Sequence, residues 1–285
     1  FGFDSMLASE PFGSDVWDAC VAAGIELENW LPEFGAGQFE ITMTPQGALT
    51  ACDHAVILKE IVRHVARENK LYATFVPLPH PEGVGNGVHV HLSLTKNGKP
   101  VTYDPQGKAG LSRVAESACA GVLDHAEGIL AWTAPSQVSA LRLTPHRWSA
   151  GGICIGRQNR EALLRICPIP SGSDPNKIFN IEYRAADATA NPYLVMSCLI
   201  NAMCDGLDRD LDIDQIVDDH VDNVDVPQLP ATLNQAIAAF KADSVMQGWF
   251  PQDLIETHLG IRASEEATLA GLDNAAKCAR YHQVY

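Results

Sequence analysis

The segment Val88-His89-Val90-His91-Leu92-Ser93-Leu94 limits the possible folds more than any other part of the sequence. Aliphatic and polar residues alternate in it without a break. A β-strand sends successive side chains to opposite faces, so this segment can bury its four aliphatics and turn His89, His91 and Ser93 together to the other side. Two shorter segments repeat the pattern. In Phe39-Glu40-Ile41-Thr42 the acid points away from Phe39 and Ile41, and in Ile181-Glu182-Tyr183-Arg184 the glutamate and the arginine share a face. Each segment alone also fits a solvated strand face. Together they describe a sheet with an aliphatic back and a front of Glu, His, His, Ser, Glu and Arg.

The remaining segments predict helices mixed with strands. Residues 14–23 read as a short helix with Ser14 as N-cap, followed by a strand at 26–31, a turn-rich stretch at 32–37 and a strand at 39–44. Val56, Leu58, Ile61, Val62 and Val65 recur at helical spacing within 51–69. Pro77, Pro79 and Pro81 mark an extended loop, and Lys96-Asn97-Gly98-Lys99 a hairpin turn. A helix is expected at 112–132, then strands at 138–143, 152–156, 162–167 and 178–184. Asn191–Leu207 reads as a helix with proline in its first turn, where the missing N–H costs little. The segment 208–230 reads as irregular, with helices to follow near 232–242, 252–259 and 264–282. No regular strand–helix beat appears, so the expected class is α+β: a mainly antiparallel curved sheet flanked by helices.

Size and charge exclude some functions. The 285 residues suffice for one large domain or two smaller ones. No apolar run reaches bilayer length, and the first residues do not resemble a signal peptide, so no membrane partner is expected. The first residue is Phe1 rather than methionine, which suggests a start inside a longer protein. A net charge of −15 argues against a nucleic-acid partner. The eight cysteines form no Cys-x-x-Cys, which points to reduced thiols in a cytoplasmic protein. Gly83, Gly85 and Gly87 alternate, but no Lys-Ser/Thr follows as a phosphate loop requires.

The polar front suits a particular chemistry. Carboxylates with an imidazole fit Mg2+ or Mn2+ bridging ATP phosphates. Arginines, with Arg160 and Arg165 near strand ends, neutralise charge on a transferred phosphoryl group.

Four motifs carry a resemblance to the glutamine synthetase family. Glu33-Phe34-Gly35-Ala36-Gly37-Gln38-Phe39-Glu40 resembles the family's segment with two metal-binding glutamates. The run Gly85 to Leu94 resembles its Gly-x-Gly-x-His-x-His-x-Ser strand, and Asn159 to Ile166 its Asn-Arg-Ser-Ala segment. Glu182-Tyr183-Arg184, Asp187 and Asn191-Pro192-Tyr193-Leu194 resemble its most specific signature.

The resemblance implies one catalytic domain over residues 1–285 and the following roles. Glu33 and Glu40 would hold one metal, His89 and Glu182 a second. His91 and Ser93, with Glu28 as a weaker candidate, would line the ATP site. Gly85, Arg142 and Arg184 would bind glutamate. Arg160 would stabilise the transferred phosphoryl group, making Arg160 and Arg184 the catalytic pair. Arg160, Arg165 and Lys177 would contact ATP. The implied reaction phosphorylates the γ-carboxylate of glutamate with ATP, after which an amine displaces phosphate to give a γ-glutamyl amide and ADP. The partners are then glutamate, ATP, an amine and further copies of the chain.

Departures from the family bear on substrate and regulation. Ammonia-using members carry a glutamate six residues after the arginine matched by Arg142, where this chain has Trp148. An indole can pack against the carbon body of an amine but cannot attract ammonium as a carboxylate does. An amine larger than ammonia is therefore expected, with ammonia ligation or an inactive relative as the alternatives. Asn180 stands where the family often has arginine or histidine beside adenine. Residues 205–235 hold no tyrosine for adenylylation. Asp208-x-Asp210-x-Asp212 lacks the glycine and terminal glutamate of a calcium loop and reads as solvated acid. The family's N-terminal β-grasp domain, with a further metal-binding Glu-x-Glu, finds no match, so these residues alone are expected to be nearly inactive.

Overall fold

The computed structural model describes residues 2–144, 147, 149–219 and 221–285, with the backbone alone at Asp222. Helices α1 (Phe3–Ala8) and α2 (Phe12–Ala22) lead into an antiparallel pair, β1 (Leu27–Pro32) and β2 (Phe39–Met43), followed by the long helix α3 (Ala48–Glu68). An extended stretch then reaches β3 (Val90–Leu92) and the hairpin β4 (Thr95–Lys96) and β5 (Lys99–Pro100). Helices α4 (Arg113–Asp124), α5 (Ala126–Thr133) and α6 (Ser139–Arg142) precede β6 (Gly152–Arg157) and β7 (Ala162–Ile166). One helical turn, α7 (Pro175–Ile178), introduces β8 (Ile181–Tyr183). The remaining helices are α8 (Pro192–Asp208), α9 (Leu233–Ala242), α10 (Gln252–Leu269) and α11 (Asn274–His282).

The main sheet has the order β3-β8-β7-β6. Its first two pairings are antiparallel, while β7 and β6 run parallel. Residues 158–161 carry the chain back between those last two strands, with Gln158 at φ 58° turning its direction. The class is α+β with mainly antiparallel pairing, as the sequence indicated.

The aliphatic back of the sheet makes the largest core. Leu164, Ile166, Ile181 and Tyr183 pack there with Cys119, Val122, Ile129, Trp132 and Leu199 from α4, α5 and α8. Full burial of each large apolar side chain contributes roughly 1.5–3 kcal/mol. Helices α4 and α8 touch backbone to backbone. A Cβ on Gly121 would lie 2.0 Å from Ala202 O, and one on Gly206 2.1 Å from Ser117 O, so only glycine fits at either place. A second core joins α2, β1, β2 and α3 through Val16, Cys20, Trp30 and Val62, with Trp30 stacked on Phe39 at 5.0 Å.

Several elements differ from the sequence reading. Residues 138–143 are not a strand but contain α6. Ser136 and Ser139 bond reciprocally, each backbone N–H to the other's Oγ at 3.3 and 3.1 Å, and this starts a helical turn. The expected helix 112–132 breaks at His125, whose ring is held by Asp205 and Asp243. The strand expected over 88–94 is regular only over Val90–Leu92, with one further backbone bond from Val88 N–H to Ala186 O at 2.9 Å. The expected break near Gly260 is absent, because α10 runs on to Leu269 and turns at Gly271 (φ 80°) before Asp273 caps α11. Ser14 lies within α2 rather than capping it, and α1 precedes it. The Asn191 cap holds, with Oδ1 accepting from Tyr193 N–H at 2.9 Å. Asn97 and Gly98 turn the short hairpin at φ 53° and 75°. Among the described residues no helix is long and apolar enough to cross a membrane, and the eight cysteines are free.

Candidate active site

Strand register assembles the polar front. His91 on β3 lies opposite Glu182 on β8, and Glu182 lies opposite Arg165 on β7. The three side chains therefore form a row across the sheet. Arg184 stands two residues beyond Glu182 and shares its face. The result is a dense contact set around one buried carboxylate. Glu182 Oε1 meets His89 Nδ1 at 2.9 Å and Arg184 Nη1 at 2.5 Å, and Glu182 Oε2 accepts from Arg165 Nη1 at 2.8 Å. His91 Nε2 is 3.9 Å from Oε1.

The electrostatics follow from these contacts. Burial resists the charge of Glu182, but the His89 hydrogen bond and the Arg184 and Arg165 guanidiniums outweigh it and hold the carboxyl far below the usual range. His89 is pushed down by burial, with the Arg184 and Arg142 charges adding to that effect against Glu182. Glu40 goes the other way. Burial raises its pKa first, then the charge and hydrogen bond of Glu33, then the charge of Glu182. Glu33, Glu40, Glu182 and the two histidines thus occupy one electrostatic neighbourhood.

The β1–β2 turn brings Glu33 and Glu40 there. Glu33 N–H donates to Gln38 O at 2.8 Å, closing the turn between them. Gln38 Nε2 then donates to Gly85 O at 2.9 Å and to Asn86 Oδ1 at 2.6 Å, fastening that turn to the glycine-rich segment before His89. The alternating glycines have a steric reason. A Cβ on Gly85 would lie 2.5 Å from Arg142 Cγ, and one on Gly87 2.9 Å from His89 Nε2 and 3.1 Å from Arg142 Nη1. The stem of Arg142 lies across Gly85, and its Nη2 donates to Ala185 O and Ala186 O at 2.6 and 3.1 Å. Arg142 is buried, with one edge of its guanidinium committed to main-chain carbonyls. Buried Asp187 lends its charge support.

Three arginines gather on the other side of Glu182. Arg184 Nε donates to the carbonyl of Arg160 at 3.0 Å, and the charges of Arg165 and Arg160 both press on Arg184. Carboxylates and guanidiniums therefore stand side by side and meet at Glu182. Glu28, Ser93 and Lys177 are exposed, and among the described residues none of them stands in the contact set around Glu182. Trp148 lies outside the described residues. Sequence reasoning gave no role to Gln38 or Cys167, and it treated Asn180 only as a departure. Asn180 Oδ1 is 2.8 Å from His91 Nδ1, and Cys167 Sγ is 3.6 Å from the same nitrogen. Polar residues two positions from Arg165 and Glu182 on their strands were the available signal.

The site fits the implied cations. Glu33, Glu40 and Glu182 offer hard oxygen donors and His89 an imidazole, the donor types taken by Mg2+ or Mn2+. Burial first, and then repulsion from Glu33 and Glu182, raises the Glu40 pKa, and a divalent cation there would offset the repulsion.

Comparison with known proteins agrees with this architecture. Residues 1–281 match the family model described as glutamine synthetase, catalytic domain. A γ-glutamylpolyamine synthetase, GlnA3 of Streptomyces coelicolor, is 34% identical over 280 residues, covering 95% of this chain and 60% of that protein. A glutamine synthetase of the same organism is 37% identical over 254 residues, covering 86% of this chain and 54% of its own length. The chain thus spans little more than half of these relatives. Among solved structures, a novel glutamine synthase homolog superposes with a TM-score of 0.90 at 38% identity, over 100% of this chain and 66% of its own. The GmaS/ADP complex gives a TM-score of 0.86 at 29% identity, over 96% of this chain and 64% of its own. With the sheet, the carboxylate cluster and these matches in agreement, the chain belongs to the glutamine synthetase family through its catalytic domain.

Proposed function

We propose that this chain is the catalytic part of an ATP-dependent ligase that joins an amine to the γ-carboxylate of glutamate through γ-glutamyl phosphate. The observation that carries the reading is the junction at Glu182, where a carboxylate cluster adjoins an arginine cluster. Glu33 and Glu40 would hold one divalent cation, and His89 and Glu182 another. When bound, these ions neutralise phosphate charge and orient the oxygens of ATP.

The protein's own groups position and neutralise. Arg165 and Arg184 both bind Glu182, and the charges of Arg165 and Arg160 press on Arg184, so an incoming phosphoryl group would bring negative charge to a place where three guanidiniums gather. Arg142 and Arg184 would bind the carboxylates of glutamate, with Gly85 leaving room for the Arg142 stem and for close substrate approach. Attack of a γ-carboxylate oxygen on the γ-phosphorus releases ADP and gives an acyl phosphate. The amine nitrogen then attacks the acyl carbon, phosphate leaves, and the nitrogen loses a proton. His91, Ser93, Glu28 and Lys177 stay in the proposal as groups nearer the nucleotide. Oligomeric assembly and a cytoplasmic setting belong to it as well.

Two observations favour an amine over ammonia: Trp148 occupies the position of the family's ammonium-binding glutamate, and GlnA3 is named for a polyamine. The test is phosphate release by the full-length protein with ATP, Mg2+, glutamate and a panel of polyamines, alkylamines, ethanolamine and ammonia. At least a tenfold preference in kcat/KM for one organic amine is expected. A preference for ammonia would return the chain to glutamine synthesis, and no release with any amine would favour an inactive relative.

A further inference from the structure

Arg160 is exposed in the return loop between β6 and β7, and a long exposed side chain takes many positions unless its backbone is fixed. The backbone here is held from two directions. On the inner side the Arg160 carbonyl accepts from Arg184 Nε at 3.0 Å, and Arg184 in turn bonds Glu182. On the outer side stand residues 217–219, part of an acidic stretch that the proposed reaction leaves without a role. Val217 N–H donates to Ile155 O at 2.8 Å, so the stretch lies along β6. Gly156 lets it come close: a Cβ there would stand 2.1 Å from Val217 O and 2.7 Å from Asn159 Cβ.

The half-buried side chain of Asn159 joins the loop to that stretch. Its Nδ2 donates to Val217 O at 3.1 Å and to Asp219 O at 2.8 Å. Its Oδ1 accepts from Glu161 N–H at 2.9 Å, across Arg160. Two carbonyls facing the nitrogen and one N–H facing the oxygen agree on the orientation of the amide. Both amide hydrogens are committed within the protein, so Asn159 has no donor left for a substrate. A turn asparagine ordinarily needs only the oxygen half of this pattern. The two bonds from Nδ2 reach positions 58 and 60 residues further along the chain, and closing a local turn does not account for them. Arg157 N–H to Asp218 Oδ1 at 2.8 Å and Val221 N–H to Glu161 Oε2 at 3.4 Å add bonds on either side.

From these contacts we infer that Asn159 is a positioning residue: by tying the Arg160 turn to residues 217–219 it fixes where the Arg160 guanidinium stands for a phosphoryl group. The acidic stretch is then the mount of that arginine, and any shift of Arg160 towards a phosphate is shared with it. The role of Arg160 rests on the proposed ligase reading, whereas the bonds of Asn159 do not. Displacing a charge-stabilising group by about 1 Å can cost on the order of 100-fold in rate, so a tie of this kind has a measurable effect without touching the substrate.

The test is a double-mutant cycle in the full-length protein, combining Asn159→Ser with Arg160→Ala. Serine keeps an oxygen for Glu161 N–H but is too short to reach Val217 O and Asp219 O. Asn159→Asp keeps the oxygen but offers those carbonyls no hydrogen, and it takes the place of the serine variant if that one does not fold. The cycle is read on ATP affinity with Mg2+, which needs no turnover, and on kcat from phosphate release. Asn159→Ser should weaken ATP binding at least about threefold and lower kcat at least about tenfold, with KM for glutamate changed less than about twofold. In the Arg160→Ala background the same substitution should cost less than about twofold in either quantity, because the group it acts through is gone. Equal losses in both backgrounds would show a structural effect alone, and no loss in the single variant would show that the tie does not place the arginine; either result overturns the inference. If the wild type binds ATP but releases no phosphate with any amine, the ligase reading fails and the ATP-binding cycle still decides the role of Asn159. A wild type that binds no ATP would overturn both.

Discussion

Several charged and hydrogen-bonding partners converge on Glu182. It is 2% exposed and sits between Arg165, Arg184 and His89. Removing one partner of a buried, hydrogen-bonded charge set leaves the others uncompensated, which costs about 3–5 kcal/mol. Glu182→Gln should therefore lower both stability and activity. Urea unfolding should show a stability loss of roughly that size. Phosphate release by the full-length protein should fall by at least about 100-fold, since a required charge at the reacting group is lost. A variant with wild-type stability would mean that Arg165 and Arg184 find other counter-charges.

At the scale of elements, the α4–α5 junction contains a titratable pin. Buried His125 bonds Asp243 through Nδ1 at 2.6 Å and Asp205 through Nε2 at 3.0 Å. Burial opposes its charge, but the two carboxylates win and raise its pKa. The stability it contributes is fully present below the ordinary histidine value, about 6.5. It is lost as pH rises through the higher folded value. Burial also opposes the charge of Asp205, yet its bonds with Arg209 and His125 lower its pKa. Its contribution is present above the ordinary carboxylate range and lost as pH falls through the depressed folded value. The Tm gap between wild type and His125→Gln should thus be widest near pH 5–6 and narrow towards alkaline pH. A pH-independent gap would show that packing, not charge, holds the junction.

The same junction shows what local sequence cannot reveal. Residues 112–132 carry one helical pattern, and the break at His125 depends on acids 80 and 118 residues away. The alternation in β2, β3 and β8 was legible because a period of two is a local property. The cap at Asn191 was legible for the same reason. The α6 turn was not, since Ser136 and Ser139 override a weak alternation. The convergence of Glu33, Glu40, His89 and Glu182 came from family motifs and not from spacing, because strand register is set by long-range pairing. Cys167 offered only its place two residues after Arg165, and its approach to His91 is set by strand pairing.

For the whole molecule, two pieces must meet: the β1–β2 turn with Glu33 and Glu40, and the main sheet with His89 and Glu182. Gln38 fastens one to the other. A cation bridging the acids would act across that seam and stabilise the entire chain. At 100 times its dissociation constant, such an ion adds about 2.7 kcal/mol. Mn2+ should raise the Tm, and the double variant Glu33→Gln/Glu40→Gln should lose most of that rise. An undiminished rise in the variant would place the ion elsewhere. Three carboxylates and one imidazole are few ligands for two ions, so turnover by these residues alone is expected to stay near background.

The contact between Gly121 and Gly206 bears on how this catalytic end can move. Two main chains in direct touch leave no side-chain cushion to compress, so α4 and α8 behave as one plate behind β8 and β7. Rearrangement around a substrate then falls to segments outside the plate: the proline-rich approach to His89 and the return loop bearing Arg160. Even an added methyl group at either glycine would force the helices apart and tilt β7 and β8 together with the Arg165 and Glu182 side chains they carry.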